Sequence, residues 1–259
     1  MLAELLALAP NGLEQRDVGD FVEYAVYGAP GELPQLPDLE AAAGDALVQV
    51  STSELADDWD ERWKRFHRPL TIAGRLHVRP PWCPAPGDES GGAPLDIVID
   101  PGQAFGTGAH PTTRLCLELL LELDDPAGGF VDLGCGSGVL AIAAAKLGYA
   151  PVTALDNDPA AVAAATGNAA ANDVALELRP TDLRRDPLPS APTYAANLLR
   201  PALLALAERL PEPPPRQLIA SGLLSVEADA VARAFAGHGL AERERREAGE
   251  WTALLLTRA

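Results

Sequence analysis

Residues 131–138, which read V-D-L-G-C-G-S-G, constrain the fold of this chain more than any other stretch. Apolar residues lead into them, and the apolar run Val139 to Ala145 follows. Glycine adopts backbone angles that are barred to other residues, and it lets a ligand lie against bare main chain. The first turn of a helix adds N–H groups that have no partner within the helix. The stretch therefore predicts a strand, a tight turn and a helix N-terminus that together can bind a ligand.

The spacing of the three glycines distinguishes between the known kinds of glycine-rich loop. A dinucleotide-binding loop needs G-x-G-x-x-G, but Val139 stands where its third glycine would be. A phosphate-binding P-loop is excluded because the chain contains no Gly-Lys-Ser/Thr. The form D-x-G-x-G-x-G, with Gly134, Gly136 and Gly138, resembles that of Rossmann-like methyltransferases that use S-adenosylmethionine (SAM). The alternative for these residues alone is an ordinary tight loop between a strand and a helix.

Asp156 is the second candidate ligand. It ends the short apolar strand Val152 to Leu155 and stands 22 positions after Gly134, close to the roughly 20 positions that bring an acid to a ribose in a βαβ unit. A carboxylate there could accept hydrogen bonds from both ribose hydroxyls. Asp158 has a structural explanation as the N-cap before Pro159. Asp156 has the alternative of being a second capping acid.

Strands and helices alternate after residue 130, which predicts a mostly parallel sheet. Asp182 follows the third strand, where an acid could reach an adenine amino group, and Asn197 lies near the end of the fourth strand, Tyr194 to Leu198. Open α/β sheets bind their ligands at these carboxyl ends. Thr113 lies at the start of an earlier helix and could equally be a helix cap. His110 beside it could be a base or a structural residue.

Composition limits the classes of partner. A net charge of −17 repels nucleic acid phosphates and attracts a basic partner, although acidity can also serve solubility alone. No apolar run approaches the roughly 18 residues of a membrane span. The charge therefore argues against nucleic acid as a partner, and the lack of such a run argues against a membrane. The three cysteines and four histidines show no disulfide or metal-ligand spacing. The first ten residues lack the basic region of a signal peptide, which predicts a cytoplasmic protein.

The pattern of elements predicts a small α+β domain over residues 1–53, a linker helix over 54–68 and a methyltransferase domain over 69–259. We expect strands at 21–27 and 46–51 in the first domain. The linker helix carries Trp59, Trp63 and Phe66 on one face. This face could pack between the two domains or bind a partner.

Four stretches together resemble a known family. They read W-D-E-R-W-K-R-F-H-R-P at 59–69, D-P-G-Q-A-F-G-T-G-A-H-P-T-T-R-L-C-L at 100–117, V-D-L-G-C-G-S-G at 131–138 and A-N-L-L at 196–199. The family is the bacterial ribosomal protein methyltransferase family known as PrmA, whose target is large-subunit ribosomal protein eleven. The F-G-T-G-x-H-x-T-T part is the specific one, and the similarity spans residues 54–259.

The resemblance implies that SAM is held by Thr113, Gly134, Asp156 and Asn197, and that a basic ribosomal protein is the substrate. It also implies that the N-terminal domain has a ferredoxin-like fold that docks this protein. The chain begins at what resembles the first helix of that fold, so we expect a truncated or altered domain.

The implied acceptors are lysine side chains and an α-amino group. Deprotonating a lysine at pH 7 costs about 4.6 kcal/mol and an α-amine about 1.4 kcal/mol, and the positive sulfonium of SAM and a dry site would lower the first value. No catalytic base is therefore required. Asn197 stands where other amino-methyltransferases carry N-P-P-Y, so it is the candidate catalytic residue, able to align the amine or to contact SAM. Leu198 and Leu199 replace the prolines, which argues against a planar base or a glutamine amide as acceptor.

Other activities stay open at this point. A SAM-dependent methyltransferase could act on a small-molecule amine or on another protein. A non-catalytic SAM-binding or scaffold protein is disfavoured by the combination of Asp156, Asn197 and the glycine-rich turn. A dehydrogenase is disfavoured by the glycine spacing. The sequence leaves the oligomeric state undecided.

Overall fold

The computed structural model describes residues 13–18, 21–26, 37, 39, 44, 47–51, 67–87, 93–101, 110–123, 126 and 128–258. The chain divides into two compact units, Met1–Glu61 and Arg62–Ala259. This division falls within residues 54–68, the predicted linker helix. Residues 54–66 of this prediction, with the aromatic face, lie outside the described residues, and residues 67 and 68 are not helical, so the predicted domain boundaries stay predictions.

The described part of the first unit contains an antiparallel hairpin. Strand β1 (Leu13–Val18) pairs with β2 (Phe21–Val26), and Val18 lies opposite Phe21. The predicted strand at 21–27 is confirmed for these residues, whereas β1, with its charged sequence, was not predicted. The prediction at 46–51 is wrong where the structure describes it, because residues 47–51 form neither strand nor helix. Val48 is 72 % exposed, so this apolar side chain is not packed against a core.

A small three-stranded sheet opens the described part of the second unit. Strand β3 (Leu70–Ile72) pairs antiparallel with β4 (Leu76–Arg79), and β4 pairs parallel with β5 (Leu95–Val98). The two guanidinium nitrogens Nε and Nη2 of Arg79 donate to both carboxylate oxygens of Asp96 at 2.8 and 2.7 Å. This bidentate ion pair holds β5 beside β4. After β5 the chain continues to residue 100.

Within the described residues, the main sheet has seven strands, five of them parallel. They are β6 (Phe130–Leu133), β7 (Val152–Asp156), β8 (Glu177–Pro180), β9 (Thr193–Asn197), β10 (Gln217–Leu224), β11 (Leu240–Ala248) and β12 (Trp251–Arg258). Their order is β11-β12-β10-β9-β6-β7-β8. The five adjacent strands β10, β9, β6, β7 and β8 run parallel to one another. Strand β12 runs antiparallel to both of its neighbours, β11 and β10. The predicted mostly parallel sheet is confirmed.

Helices cover both faces of this sheet. They are α1 (Pro111–Leu120), α2 (Val139–Lys146), α3 (Pro159–Ala171), α4 (Arg200–Ala207) and α5 (Ser225–Ala236). One buried cluster packs Phe130 of β6 with apolar residues of α1, α2 and α3, and a second packs Val131 of β6 with residues of α4 and α5. Neighbouring residues of β6 thus point to opposite faces, as the strand geometry requires. None of the helices in the described ranges is long and apolar enough to cross a bilayer.

The strand order creates a switch point between β6 and β9. The chain proceeds from β6 outward to β7 and β8, and then returns to the other side of β6 with β9. Ligands of open α/β sheets bind in the crevice outside the carboxyl ends of strands at such a point. The glycine-rich turn after β6 and Asn197 at the end of β9 therefore lie at the same crevice.

Candidate cofactor site

The glycine-rich turn connects β6 to α2 in a conformation that requires glycine. Gly134, Gly136 and Gly138 have φ angles of 75°, 51° and 80°, in the region that other residues rarely adopt. A Cβ atom on Gly134 would lie 2.4 Å from Cδ2 of Leu198. The turn is anchored to the next strand, because the N–H groups of Gly134 and Cys135 both donate to the carbonyl of Leu155, at 2.8 and 2.9 Å. The turn therefore presents bare main chain at Gly134, and a larger residue there would clash with Leu198.

Asp156 lies at the end of β7, beside this turn. Its Oδ2 accepts a hydrogen bond from the N–H of Gly136 at 2.9 Å, and its Oδ1 accepts one from the N–H of Asp158 at 3.0 Å. Each carboxylate oxygen has two lone pairs, so both oxygens can still accept from hydroxyls of a ligand. Asp158 in turn caps α3, since its Oδ1 accepts from the N–H of Ala160 at 2.8 Å, as predicted.

Asn197 and Thr113 meet although they are 84 positions apart in the sequence. Nδ2 of Asn197 donates to Oγ1 of Thr113 at 3.2 Å, and Thr113 is buried in the first turn of α1. The N-cap of α1 is His110, whose Nδ1 accepts from the N–H of Thr112 at 3.3 Å. Burial lowers the pKa of His110, which favours the neutral ring that can accept this bond. Thr113 is therefore not the cap of its helix.

Asp182 begins a turn after β8. Its Oδ1 accepts from the N–H of Arg184 at 3.0 Å, and its own N–H donates to Oδ2 of Asp186 at 2.8 Å. These bonds hold the carboxylate at the carboxyl end of the sheet, where it is partly exposed. The loop geometry alone does not assign it a ligand.

All six predicted ligand residues line one cavity of about 370 Å³. They are Thr113, Gly134, Gly136, Asp156, Asp182 and Asn197. A volume of this size is typical of a small-molecule site. The structure thus brings together every residue that the sequence singled out for the cofactor.

Sequence reasoning missed the apolar walls of the cavity. Among the further lining residues are Leu140, Asn157, Leu183, Leu198 and Leu206. Leucines at the ends of strands and on helices look like ordinary core residues in a sequence, and only the position of Asn157 directly after Asp156 offered a signal. The combination of apolar walls, two carboxylates and a bare glycine turn fits a nucleoside ligand, whose flat base is apolar on its faces and whose ribose carries hydroxyl donors.

Asp132 is a buried acid beneath the turn. It is 1 % exposed, and its Oδ2 accepts from the N–H of Ala141 in α2 at 3.1 Å. Its Oδ1 is buried without a hydrogen-bond partner in the described part of the chain. Burial raises the pKa of Asp132 from its ordinary 3.8 to about 7, because a dry environment disfavours the charged form. The sequence marks Asp132 as part of the motif but gives no sign that it is buried.

Comparison with known proteins identifies the family. The model of the family described as ribosomal protein L11 methyltransferase (PrmA) matches residues 34–259. The ribosomal protein L11 methyltransferase of Chloroflexus aurantiacus is 39 % identical, over 81 % of this chain and 72 % of that protein. The one of Geobacter metallireducens is 42 % identical, over 83 % and 71 %.

Solved structures agree with the sequence relatives. The ribosomal protein L11 methylase of Lactobacillus delbrueckii subsp. bulgaricus is 29 % identical, with a TM-score of 0.66 over 74 % of this chain and 98 % of that chain. The tRNA (uracil-54, C5)-methyltransferase of Pyrococcus abyssi, solved with S-adenosyl-L-homocysteine, is 19 % identical, with a TM-score of 0.51 over 64 % and 42 %, and shows the fold alone. The predicted Rossmann-like fold, SAM as cofactor and methyltransferase activity are confirmed. The chain belongs to the ribosomal protein L11 methyltransferase family.

Proposed function

We propose that this chain transfers methyl groups from SAM to amino groups of ribosomal protein L11, namely lysine side chains and the α-amino group. The observation that carries the proposal is the pairing of Asn197 with Thr113 at the cavity that Gly134 and Asp156 also line. The family match from residue 34 onward supports this substrate. A cytoplasmic location follows from a ribosomal protein as substrate.

We expect different residues of the cavity to bind different parts of the cofactor. Asp156 would accept hydrogen bonds from the ribose hydroxyls, and Asp182 would accept one from the adenine amino group. Gly134 and Gly136 would offer main chain without side chains, and Thr113 would contact the part of the cofactor nearest to Asn197. When bound, SAM supplies an electrophilic methyl group on a positively charged sulfur.

Asn197 is proposed as the catalytic residue because its amide has a fixed orientation. Its Nδ2 donates to Thr113, which leaves the carbonyl oxygen Oδ1 to accept an N–H of the neutral acceptor amine. This bond would direct the nitrogen lone pair away from Asn197. Alignment of two reactants is a main source of rate enhancement where no proton has to be moved by the protein. We assign no catalytic base.

The charge distribution favours a basic partner for the first unit. Residues 1–61 contain 14 of the 37 Asp and Glu residues and one of the 20 Lys and Arg residues. The first unit therefore carries a net charge of −13 out of −17. Such a field attracts a basic protein and speeds its encounter. We propose that this unit recognises the ribosomal protein, and that nucleic acid makes no direct contact with it.

The test is transfer of labelled methyl from SAM to purified large-subunit proteins. We expect label on L11 with the wild type and loss of most of it with Asp156→Ala. Asp158→Ala is the matched control, because it removes a carboxylate two positions away that caps α3 without lining the cavity. Label on another protein, or on a small amine with none on L11, would overturn the substrate assignment. Equal loss in both variants would overturn the assigned role of Asp156.

A further inference from the structure

Asn168 is a buried amide in the third turn of α3, and both of its ends are hydrogen-bonded outside the helix. It is 3 % exposed. Its Nδ2 donates to the carbonyl of Ser137 at 2.9 Å, and its Oδ1 accepts from the N–H of Asp100 at 2.9 Å. A buried polar group is costly unless it is paired. Here the side chain joins two segments that are distant in sequence.

The first of these segments is the glycine-rich turn of the cofactor site. Ser137 lies between Gly136 and Gly138, and both of these have positive φ angles. On its other side, the turn is held by Asp156, whose Oδ2 accepts from the N–H of Gly136. Two side chains thus fix the turn, one through an N–H and the other, Asn168, through a carbonyl.

The second segment leads toward the other half of the cavity. Asp100 follows β5, and ten positions later the chain reaches His110, the N-cap of α1. The first turn of α1 contains Thr113, which pairs with Asn197. Asn168 therefore ties the turn on one side of the cavity to the segment that leads to the other side.

Asn172, one helical turn later, is a natural comparison. Its Oδ1 accepts from the N–H of Val98 at 2.9 Å, and its Nδ2 donates to the carbonyl of Val98 at 2.6 Å. It is also buried, at 6 % exposure. It ties the same β5 segment to α3, and its Nδ2 also donates to the carbonyl of Asn168 at 2.8 Å, but none of these three bonds reaches the glycine-rich turn. The two asparagines thus both tie the β5 segment to α3, and the difference between them is the bond from Asn168 to Ser137 in the glycine-rich turn.

We propose that Asn168 is a positioning residue for the cofactor, which acts by holding the Ser137 carbonyl and with it the shape of the glycine-rich turn. The proposal rests on the assignment of SAM to this cavity and does not depend on the protein substrate. Loss of the Asn168 amide therefore weakens SAM binding by more than the accompanying loss of stability explains.

The test compares the dissociation constant for SAM, measured by calorimetry, with the melting temperature of each variant. We expect Asn168→Ala to raise the dissociation constant at least tenfold. Asn172→Ala is expected to change it by less than twofold while lowering the melting temperature by a similar amount. Asn168→Asp keeps an acceptor for the N–H of Asp100 but loses the donor to Ser137, so it is expected to bind SAM as weakly as the alanine variant. At saturating SAM, methyl transfer by both Asn168 variants is expected to recover to within twofold of the wild type.

Equal loss of SAM affinity in the Asn168 and Asn172 alanine variants would overturn the proposal, as would wild-type affinity in Asn168→Asp. If Asn168→Ala does not fold, the comparison of Asn168→Asp with Asn172→Asp decides in the same way. A wild type that binds SAM without methylating L11 would refute only the proposed substrate. A wild type that does not bind SAM would refute the cofactor assignment and this proposal together.

Discussion

Replacing Asp132 by Asn is expected to stabilise the protein increasingly as the pH rises. Asp132 is fully buried, one of its oxygens has no partner among the described residues, and its pKa is raised to about 7 from an ordinary 3.8. A carboxyl whose pKa is higher in the folded than in the unfolded protein stabilises the fold at low pH. That stability is lost as the pH rises from about 4 through about 7, because the buried group must then ionise. Asn imitates the neutral form at every pH.

The size of the effect follows from the two pKa values. One pKa unit corresponds to about 1.36 kcal/mol, so the full difference between 3.8 and about 7 is about 4 kcal/mol. Linkage gives an advantage of Asn over Asp of about 2 kcal/mol at pH 5, which rises to about 4 kcal/mol at pH 8 and then levels off. An unpaired amide hydrogen of the new Asn would subtract roughly 1–3 kcal/mol at all pH values. The prediction therefore concerns how the difference in free energy of unfolding between the two proteins changes with pH, and not the size of that difference at one pH.

Urea unfolding from pH 5 to pH 9 measures this trend. The free energy of unfolding of the wild type should fall relative to that of Asp132→Asn by about 2–3 kcal/mol over this range. Glu212→Gln is the control, because it removes one carboxylate from an exposed position and should follow the wild type. Parallel curves for the wild type and Asp132→Asn would refute the reasoning, since they would mean that Asp132 is already ionised at pH 5 in the folded protein.

Three further predictions concern the reaction and the fold. Asn197→Ala should lower the rate of methyl transfer at least tenfold at saturating SAM, and near wild-type turnover in this assay would remove its catalytic role. Gly222→Ala should lower the free energy of unfolding by roughly 2–3 kcal/mol, because its φ is +86° and a Cβ there would lie 2.4 Å from the carbonyl oxygen of Leu198. Gly249→Ala, at φ +61° with open space around it, should cost only about 1 kcal/mol in the same denaturation experiment. Raising the salt from 0.05 to 0.5 M should increase KM for L11 several-fold through screening of the acidic first unit and leave KM for SAM unchanged, and a salt-independent KM for L11 would argue against electrostatic recognition.

The sequence predicts the parts of this fold that depend on local patterns. The turn after β6 follows from glycine spacing, and the strands β7 and β9 follow from short apolar runs that end in Asp156 and Asn197. Parallel strands place their ends at one edge, which is sufficient to bring Gly134, Asp156, Asp182 and Asn197 to one cavity.

Contacts between distant segments could not be predicted in the same way. Asn168 looks like an ordinary helix residue, and only the structure reveals bonds to segments 31 and 68 positions away. The prediction failed at 47–51 for the converse reason, because a short stretch with apolar residues forms a strand only where a neighbouring strand or a core covers one of its faces. Asp132 was visible as a motif residue, but its burial depends on the packing of α2 above it.

The polar groups of the cavity are already engaged with the protein. Asp156 holds Gly136 and Asp158, and Asn197 holds Thr113. Fixing these groups in advance lowers the entropy that a ligand must offset when it binds. It also means that loss of Asp156 removes an anchor of the turn together with a ligand for the ribose, so the effect of that variant on SAM affinity combines two causes. Asn168 anchors the same turn and is not among the residues lining the cavity, and its variants therefore measure how much of the affinity comes from the shape of the turn alone.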